Sequence, residues 1–411
     1  MPISKTSVLR RIEDLEIKIY DHSITINRTS QPYKGSSHTL GVLDVFAKAI
    51  TFGAGLDLLA KRATGQLEWI SMTQEVLRLY DHGILTCPDQ LPLSMPSHPG
   101  AFTAADVHIR MLNDRARTSA FQRAIHASVT ADDVVVDIGT GTGVLAATAA
   151  LAGARHVYAI EQNRTFAALA REFFQRNNLA DKITVIEGRS QSVSLPEKAS
   201  VLVSEIIGND ALDEGILSTF SDARKRLLHP DARLIPQRLQ IHALPLSMPA
   251  EKRAQHVFTE QAATRWQENY SMDFSTYTEF CSTQSFSTTT SSNKVRHWHR
   301  LADPVLCADL NLETDNLSSR FEESQITAKI SNSGSLNAML IFWTADLRPG
   351  HRLSVAPDEA DPDNSWGSHI WIPGEAIDVS QGQQLTFTYM WNAAMNRSEI
   401  KIISPQGDGQ S

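Results

Sequence analysis

The sequence predicts an α/β protein: an open parallel sheet with helices on both faces, preceded by a mainly helical segment and followed by an all-β one. Three observations carry this. From Val107 to Ser204, short apolar runs alternate with helical patterns. Ahead of them, apolar residues recur at three- and four-residue spacing. After Pro236, short strand-like runs are punctuated by glycine, proline, asparagine and serine.

Composition sets the bounds. A chain of 411 residues holds two or three domains, and 42% hydrophobic content supplies their cores. A formal charge of −8 argues against a polyanion-binding surface, so no nucleic-acid partner is expected. Cys87, Cys281 and Cys307 form neither a disulfide framework nor a metal spacing, which fits a reducing cytoplasm. Met1-Pro-Ile-Ser-Lys5 has no apolar signal core. The longest apolar zone, Leu40 to Ala60, is interrupted by Asp44, Lys48 and Asp57; it predicts a soluble helix pair and no membrane partner.

Residues 1–95 read as a separate, mainly helical domain. Leu9 to Ile17 begins a helix or strand, and Leu40–Ala60 and Leu67–Tyr80 have helical spacing. Asp81-His82-Gly83 ends a helix, and Pro88, Pro92, Pro96 and Pro99 stiffen a linker. The pattern resembles small winged-helix or dimerisation modules. It lacks a basic recognition helix, so dimerisation or lid duty is favoured over DNA binding.

Residues 100–236 form the parallel-sheet domain. Val107 to Thr118 opens a helix. The run Val134-Val-Val-Asp-Ile138 is short, apolar and bounded by glycine, as a buried parallel strand is. Gly139, Gly141 and Gly143 make a turn into the apolar helix from Val144, where a ligand can approach backbone and helix N-terminus. The spacing is G-x-G-x-G, not the G-x-G-x-x-G of dinucleotide sites. The strand His156–Glu161 ends in an acid able to accept from both hydroxyls of a ribose. With Asp137 it reads as an adenosine site; the bland alternative is a helix cap and a surface acid. A helix Thr165–Asn177, a strand Ile183–Glu187, a loop Gly188–Pro196 and a strand Ala199–Ser204 follow. Asp137, Glu161 and Glu205 all fall at carboxyl ends of strands, where ligands of such sheets bind.

Residues 237–405 carry the strand-like runs Leu239–Leu244, Leu310–Leu312, Ile326–Ile330, Ala338–Trp343, Ile377–Val379, Leu385–Trp391 and Glu399–Ile403, as in a barrel or sandwich. The serine- and threonine-dense Ser282–Asn293 is expected to be a solvated hairpin or loop. His297-Trp-His-Arg300 reads as a strand surface, and no metal is expected.

Roughly residues 105–405 resemble the protein arginine methyltransferases, class I enzymes that use S-adenosylmethionine. His108-x-x-Met111-Leu112-x-Asp114-x-x-Arg117-Thr118 is similar to the family's first helix, in which Met111 and Arg117 would contact the donor, Arg117 through its carboxylate. Val136-Asp137-Ile-Gly139-Thr-Gly141-Thr-Gly143 resembles motif I, and Ala152 to Glu161 the acidic strand after it. Ser204-Glu205 through Glu214 resembles the double-glutamate loop. Trp266 to Phe274 resembles the start of a dimerisation arm, expected near 255–285. The resemblance implies a seven-stranded-type, Rossmann-like methyltransferase domain, a β-barrel substrate domain and a homodimer.

Three departures bear on the substrate side. Asn364-Ser365-Trp366 stands where the family has threonine–histidine–tryptophan, so the histidine that would pair with Asp114 is missing. A tyrosine pair ahead of His108 is absent, with only Phe102 near one position. Gln191 stands where a glutamate commonly lies near the adenine.

Glu205 and Glu214 suit one chemistry. Two carboxylates around a turn can hold a planar guanidinium, bias its positive charge to one end and aim the other terminal nitrogen at a sulfonium methyl. Alignment of this kind accounts for ~7–11 kcal/mol in well-oriented systems. The expected function is S-adenosylmethionine-dependent methylation of arginine, with free L-arginine or a small derivative slightly favoured over peptide arginine. His108, Asp114 and Trp366 belong to the substrate side. A methyltransferase of another amine or hydroxyl, and an inactive scaffold, are the alternatives; neither needs both glutamates.

Overall fold

The computed structural model describes residues 5–12, 15–20, 23–27, 33–86, 105–317, 324–392 and 397–406. Cys87, Phe102 and the linker prolines 88, 92, 96 and 99 lie outside them. Contacts divide the chain into two compact units, Met1–Val107 and His108–Ser411.

The first unit has its own core, in which Leu9, Val42, Leu43, Phe46, Leu59, Val76, Leu79 and Leu85 are buried. Its helices are Thr39–Val45, Phe52–Ala60 and Gln66–Asp81, the last stopped by Gly83 at a φ of 64°. It also holds strands, of which the sequence reading allowed only one, at Leu9 to Ile17, as an alternative to helix. Val8–Arg11 pairs with Ile50–Thr51 and with Leu85–Thr86, and Glu16–Tyr20, Ser23–Asn27 and Tyr33–Gly35 form a second antiparallel sheet. Glu16–Tyr20 and Ser23–Asn27 alternate isoleucine with polar residues, a strand period that the helical reading passed over; the two-residue strands show no period and only pairing reveals them.

The second unit is built on a parallel sheet of β1 (Val134–Ile138), β2 (His156–Glu161), β3 (Ile183–Glu187), β4 (Ala199–Val203) and β5 (Leu228–Ile235). Their order is β5-β4-β1-β2-β3. All five residues of β1 are buried, the property its unbroken apolar run predicts. Asp137 sits opposite Ala159 on β2 and Val203 on β4, and Ile160 lies beside Glu161 at the end of β2. The order reverses around β1 and β4, so the carboxyl ends of these strands flank a crevice.

Beyond Ile235 the chain enters antiparallel structure. Arg238–Ser247 pairs along its whole length with Ala338–Arg348, from Arg238 opposite Asp346 to Leu246 opposite Ala338. Ser324–Lys329, Gln384–Asn392 and Arg397–Gln406 make a further sheet. Sheet and barrel share one continuous core, running from Phe121 and Val136 through Ile241 and Trp343 to Phe387 and Tyr389. The expected hairpin or loop at 282–293 is corrected: Ser285–Thr290 is a strand, and its partner is the distant Ser368–Pro373 and not a neighbouring hairpin arm. It lies at a sheet edge with alternating exposure, a place where β-branched threonines pack on one face and hydroxyls meet water on the other.

Three helices, Ala250–Arg253, Glu260–Tyr270 and Ser275–Ser282, stand between barrel strands. Phe258, Trp266, Phe274 and Tyr277 pack against one another there, while Tyr270, Met272, Tyr277 and Phe280 keep more than half of their surface exposed.

Candidate functional site

The crevice at the end of β1 is shaped by the glycine turn. Gly139 and Gly141 adopt φ of 77° and 51°, a left-handed backbone that L side chains rarely hold. The amides of Gly139 and Thr140 both donate to the Ile160 carbonyl, at 2.9 and 3.0 Å, pinning the turn to β2. A Cβ on Gly141 would meet the His108 ring at 3.0 Å. His108 itself stacks on Phe166 with centroids 3.9 Å apart, so it closes the crevice over the turn.

The two acids of this half are wholly engaged. Asp137 is buried, accepts from the Thr140 hydroxyl at 2.6 Å and caps the following helix through the Ala146 amide. Burial pushes its carboxyl up to about 7; those two bonds oppose the rise, and the nearby Glu161 charge adds to it. Glu161 accepts from the Gly141 amide at 2.9 Å and the Asn163 amide at 2.7 Å. It thereby ties the glycine turn to the next helix, whose cap is Asn163. Asp137 thus meets the first turn of the helix as its bland alternative expects, while Glu161 is buried and not the surface acid of that alternative. Gln191 is not brought in: it is exposed, with its amide 3.4 Å from the Thr219 hydroxyl.

On the other side of the crevice lies a charge cluster. Asp114 caps the helix Arg115–Ser128, accepting from the Arg117 amide at 3.0 Å. Its second oxygen accepts from the Ser365 amide at 2.9 Å and the Ser365 hydroxyl at 3.1 Å. Serine therefore occupies, toward Asp114, the place that the resemblance gives to histidine. Arg117 is buried, ion-paired with Glu205, and donates to the Met111 carbonyl at 3.1 Å. Its guanidinium lies 5.4 Å from the Trp366 ring centroid, within cation–π range. Burial pulls the guanidinium down to about 10 against the pull of Asp114 and Glu214. Burial pushes Glu214 up to about 8, Asp213 adding to the rise and Arg117 opposing it.

Sequence reasoning missed what holds the double-glutamate loop. Trp366 donates to the Ile207 carbonyl at 2.6 Å, and Trp343 to the Gly208 carbonyl at 3.1 Å. Asn209 accepts from the Gly367 amide at 2.6 Å, and buried Asp210 accepts from the Ser398 hydroxyl at 2.6 Å. Every one of these partners comes from the barrel. Nothing in the sequence set Asp210 apart, since Asp213 and the two glutamates lie in the same acidic loop.

A cleft of about 50 Å³ joins the two halves, lined by His108, Met111, Arg117, Gly139, Gly141 and Glu205 among others. The buried Arg117 Nε and Thr118 Oγ1, both on its wall, have no hydrogen-bond partner among the described residues. Among the described residues no three histidine, cysteine or acidic side chains converge as metal ligands, and no helix is long and apolar enough to cross a membrane.

Comparison with known proteins finds relatives of the sequence and of the fold. The family profile of ribosomal protein L11 methyltransferase (PrmA) matches residues 116–236. The chain is 30% identical over 229 residues to a probable protein arginine N-methyltransferase 6 of Arabidopsis thaliana, covering 54% of this chain and about half, 51%, of that protein. It is 28% identical over 292 residues to an arginine N(omega)-methyltransferase of Streptomyces achromogenes subsp. streptozoticus, covering 69% and 76%. The solved Trypanosoma brucei PRMT1 enzyme-prozyme complex with AdoHcy matches 74% of this chain and 95% of its own, with a TM-score of 0.63 at 23% identity. The chain is thus similar in sequence to arginine N-methyltransferases, and it shares the fold of the solved PRMT1 chain.

Proposed function

We propose that this protein is an S-adenosylmethionine-dependent arginine N-methyltransferase acting on a terminal guanidino nitrogen, with free L-arginine or a small derivative slightly favoured over peptide arginine. The observation that carries the reading is Glu205 and Glu214 converging on Arg117 beside the glycine turn, Glu205 as its ion pair and Glu214 through its charge. Acids that stabilise one guanidinium are the acceptors that the guanidinium of a substrate needs.

The crevice fits the donor. The glycine turn admits close backbone approach, Asp137 and Glu161 supply acids at the strand ends, and the unpartnered Arg117 Nε and Thr118 hydroxyl suit a carboxylate. When bound, the donor supplies an electrophilic sulfonium methyl. The chain's own residues do the rest. Glu205 and Glu214 hold the acceptor and bias its charge away from the reacting nitrogen, and the barrel-pinned loop keeps them aligned. As the nitrogen–methyl bond forms and the sulfur–methyl bond breaks, the nitrogen loses a proton. Glu214, already displaced to about 8, is matched to receive it directly or through water.

Within this reading 100–236 binds the donor and 237–405 shapes the acceptor site. The exposed Tyr270, Met272 and Phe280 of the helical arm support a homodimer. The separate, free Cys281 and Cys307 support a reducing, cytoplasmic setting.

Kinetics with mass-spectrometric readout test it. Free arginine and an arginine–glycine-rich peptide are each incubated with S-adenosylmethionine and wild-type or Glu214→Gln protein. Methylation of a guanidino nitrogen by wild type, at least about 100-fold slower in Glu214→Gln, is expected. Absence of methylation on either acceptor removes the proposal. A kcat/KM favouring the peptide tenfold, about 1.4 kcal/mol, would leave arginine methylation standing and reject the small acceptor.

A further inference from the structure

The loop from Glu205 to Glu214 turns tightly where Gly208 and Ala211 form a bridge, with Asn209 and Asp210 at its tip. Asp210 is buried on Ser398, and the neighbouring Ile207, Ala211 and Leu212 are buried too. Asn209 alone of residues 205–214 is exposed. Its orientation is fixed all the same. The Gly367 amide donates to Asn209 Oδ1 at 2.6 Å, which turns the two N–H groups of Nδ2 away from that contact. A Cβ on Gly367 would collide with the Thr289 methyl, so glycine is what lets the chain run this close. Nothing among the described residues accepts from Nδ2. Other polar side chains beside it are committed. Asn364 binds both backbone groups of Trp366, and Ser365 gives its hydroxyl to Asp114. Asn209 thus joins the two segments, 205–214 and 364–367, that carry Glu205, Glu214 and Trp366.

We propose that Asn209 sets acceptor specificity: its amide N–H groups receive the α-carboxylate of a free arginine whose guanidinium lies between Glu205 and Glu214. This rests on the arginine-methyltransferase reading given above and names the group that tells the free amino acid from a peptide. The surrounding charge makes the residue type informative. Glu205, Asp210, Asp213 and Glu214 put four carboxylates in the same loop, a setting that repels an incoming anion. Asparagine has the shape of aspartate, yet with Oδ1 turned to Gly367 it presents only donors outward. It therefore accepts the anion that an acid at the tip would reject. A peptide carbonyl in that place is neutral and gains little over water at an exposed site, whereas a carboxylate makes the stronger, charge-assisted bond.

Steady-state kinetics of the full chain with S-adenosylmethionine test the assignment. L-arginine is compared with L-argininamide, which keeps the guanidinium and the amine and lacks the carboxylate; an arginine–glycine peptide is the third acceptor. Wild type should favour L-arginine over its amide on the order of tenfold in kcat/KM, with the difference in KM. Asn209→Asp keeps the oxygen that Gly367 binds and replaces the outward donors by an acceptor. It should raise the KM for L-arginine on the order of tenfold and so cancel or reverse the preference. Asn209→Ala, which deletes the donors without adding charge, should erase the preference as well. A merely structural asparagine predicts that all three acceptors lose rate together with the preference intact. A preference that survives in either variant overturns the assignment, since the carboxylate is then held elsewhere. Wild type that treats arginine and its amide alike, or methylates the peptide alone, overturns it and leaves arginine methylation standing. Absence of methylation on every acceptor would instead end the arginine reading, and the assignment with it.

Discussion

Asp114 divides its two oxygens between a helix cap and Ser365, which leaves the carboxylate satisfied without a titrating partner. Ser365→Ala keeps the amide bond and deletes the hydroxyl's, so the expected loss is about 1 kcal/mol of unfolding free energy, with methyl transfer reduced less than tenfold. Denaturant melts and initial rates check it; a loss of activity by several orders of magnitude would mean that the hydroxyl takes part in chemistry. Glu214 sets the pH behaviour. Its folded carboxyl titrates near 8, with Asp137 near 7 and Asp213 near 6, all above the ordinary carboxylate range. A raised folded pKa means that the native state binds the extra proton, so the stability contributed is complete below about pH 4 and is lost as pH climbs through 6, 7 and 8. Thermal midpoints of the ligand-free protein should fall from about pH 4 to about pH 8, the span between the unfolded and folded values. The acceptor KM should fall as pH rises through about 8, because a cation needs Glu214 ionised. At this scale the sequence exposed the acids through their place after strands. The Arg117–Glu205 pair spans 88 residues, and no local pattern encodes a contact of that range.

The loop from Glu205 to Glu214 works because another element holds it. Its carbonyls at Ile207 and Gly208 are taken by the indoles of Trp366 and Trp343, and Asp210 is anchored at Ser398. Asp210→Ala removes a charged acceptor from two buried donors of Ser398, an expected cost of ~1.5–3 kcal/mol. Since Asp210 bears on loop position and not on the crevice, kcat should drop while the affinity for S-adenosylhomocysteine changes less than about threefold. Equal losses in both would show that loop and donor crevice unfold together. Elements with a strong period were legible in advance: the buried β1, the helix Gln66–Asp81 and the long barrel strands. Those defined by pairing were not. The strand Ser285–Thr290 has a loop's composition and becomes a strand because Ser368–Pro373 offers it an edge. In the same way, Asp210 reads as a solvated acid until the barrel closes over it.

The described residues form two separate hydrophobic cores, one around Leu43, Phe46 and Val76 and one running from the parallel sheet into the barrel. Cooperative unfolding follows a shared core, so two cores predict two heat-absorption peaks, where one core would give a single peak. Sheet and barrel, joined in one cluster from Val136 to Phe387, should melt together despite their different textures. Every residue placed at the crevice, from His108 to Trp366, belongs to the second unit. A donor that binds there stabilises only the state with that core intact. At about 100 times its Kd it adds ~2.7 kcal/mol, which for a unit of this size raises the midpoint by roughly 4 °C. Scanning calorimetry with and without S-adenosylhomocysteine should therefore move one peak and leave the other in place. The moving peak should be the larger one, since unfolding enthalpy scales with residue number and the second unit is the longer. A single transition that shifts as a whole would show that the two cores unfold as one cooperative body, and the first unit would then contribute to the stability of the donor site.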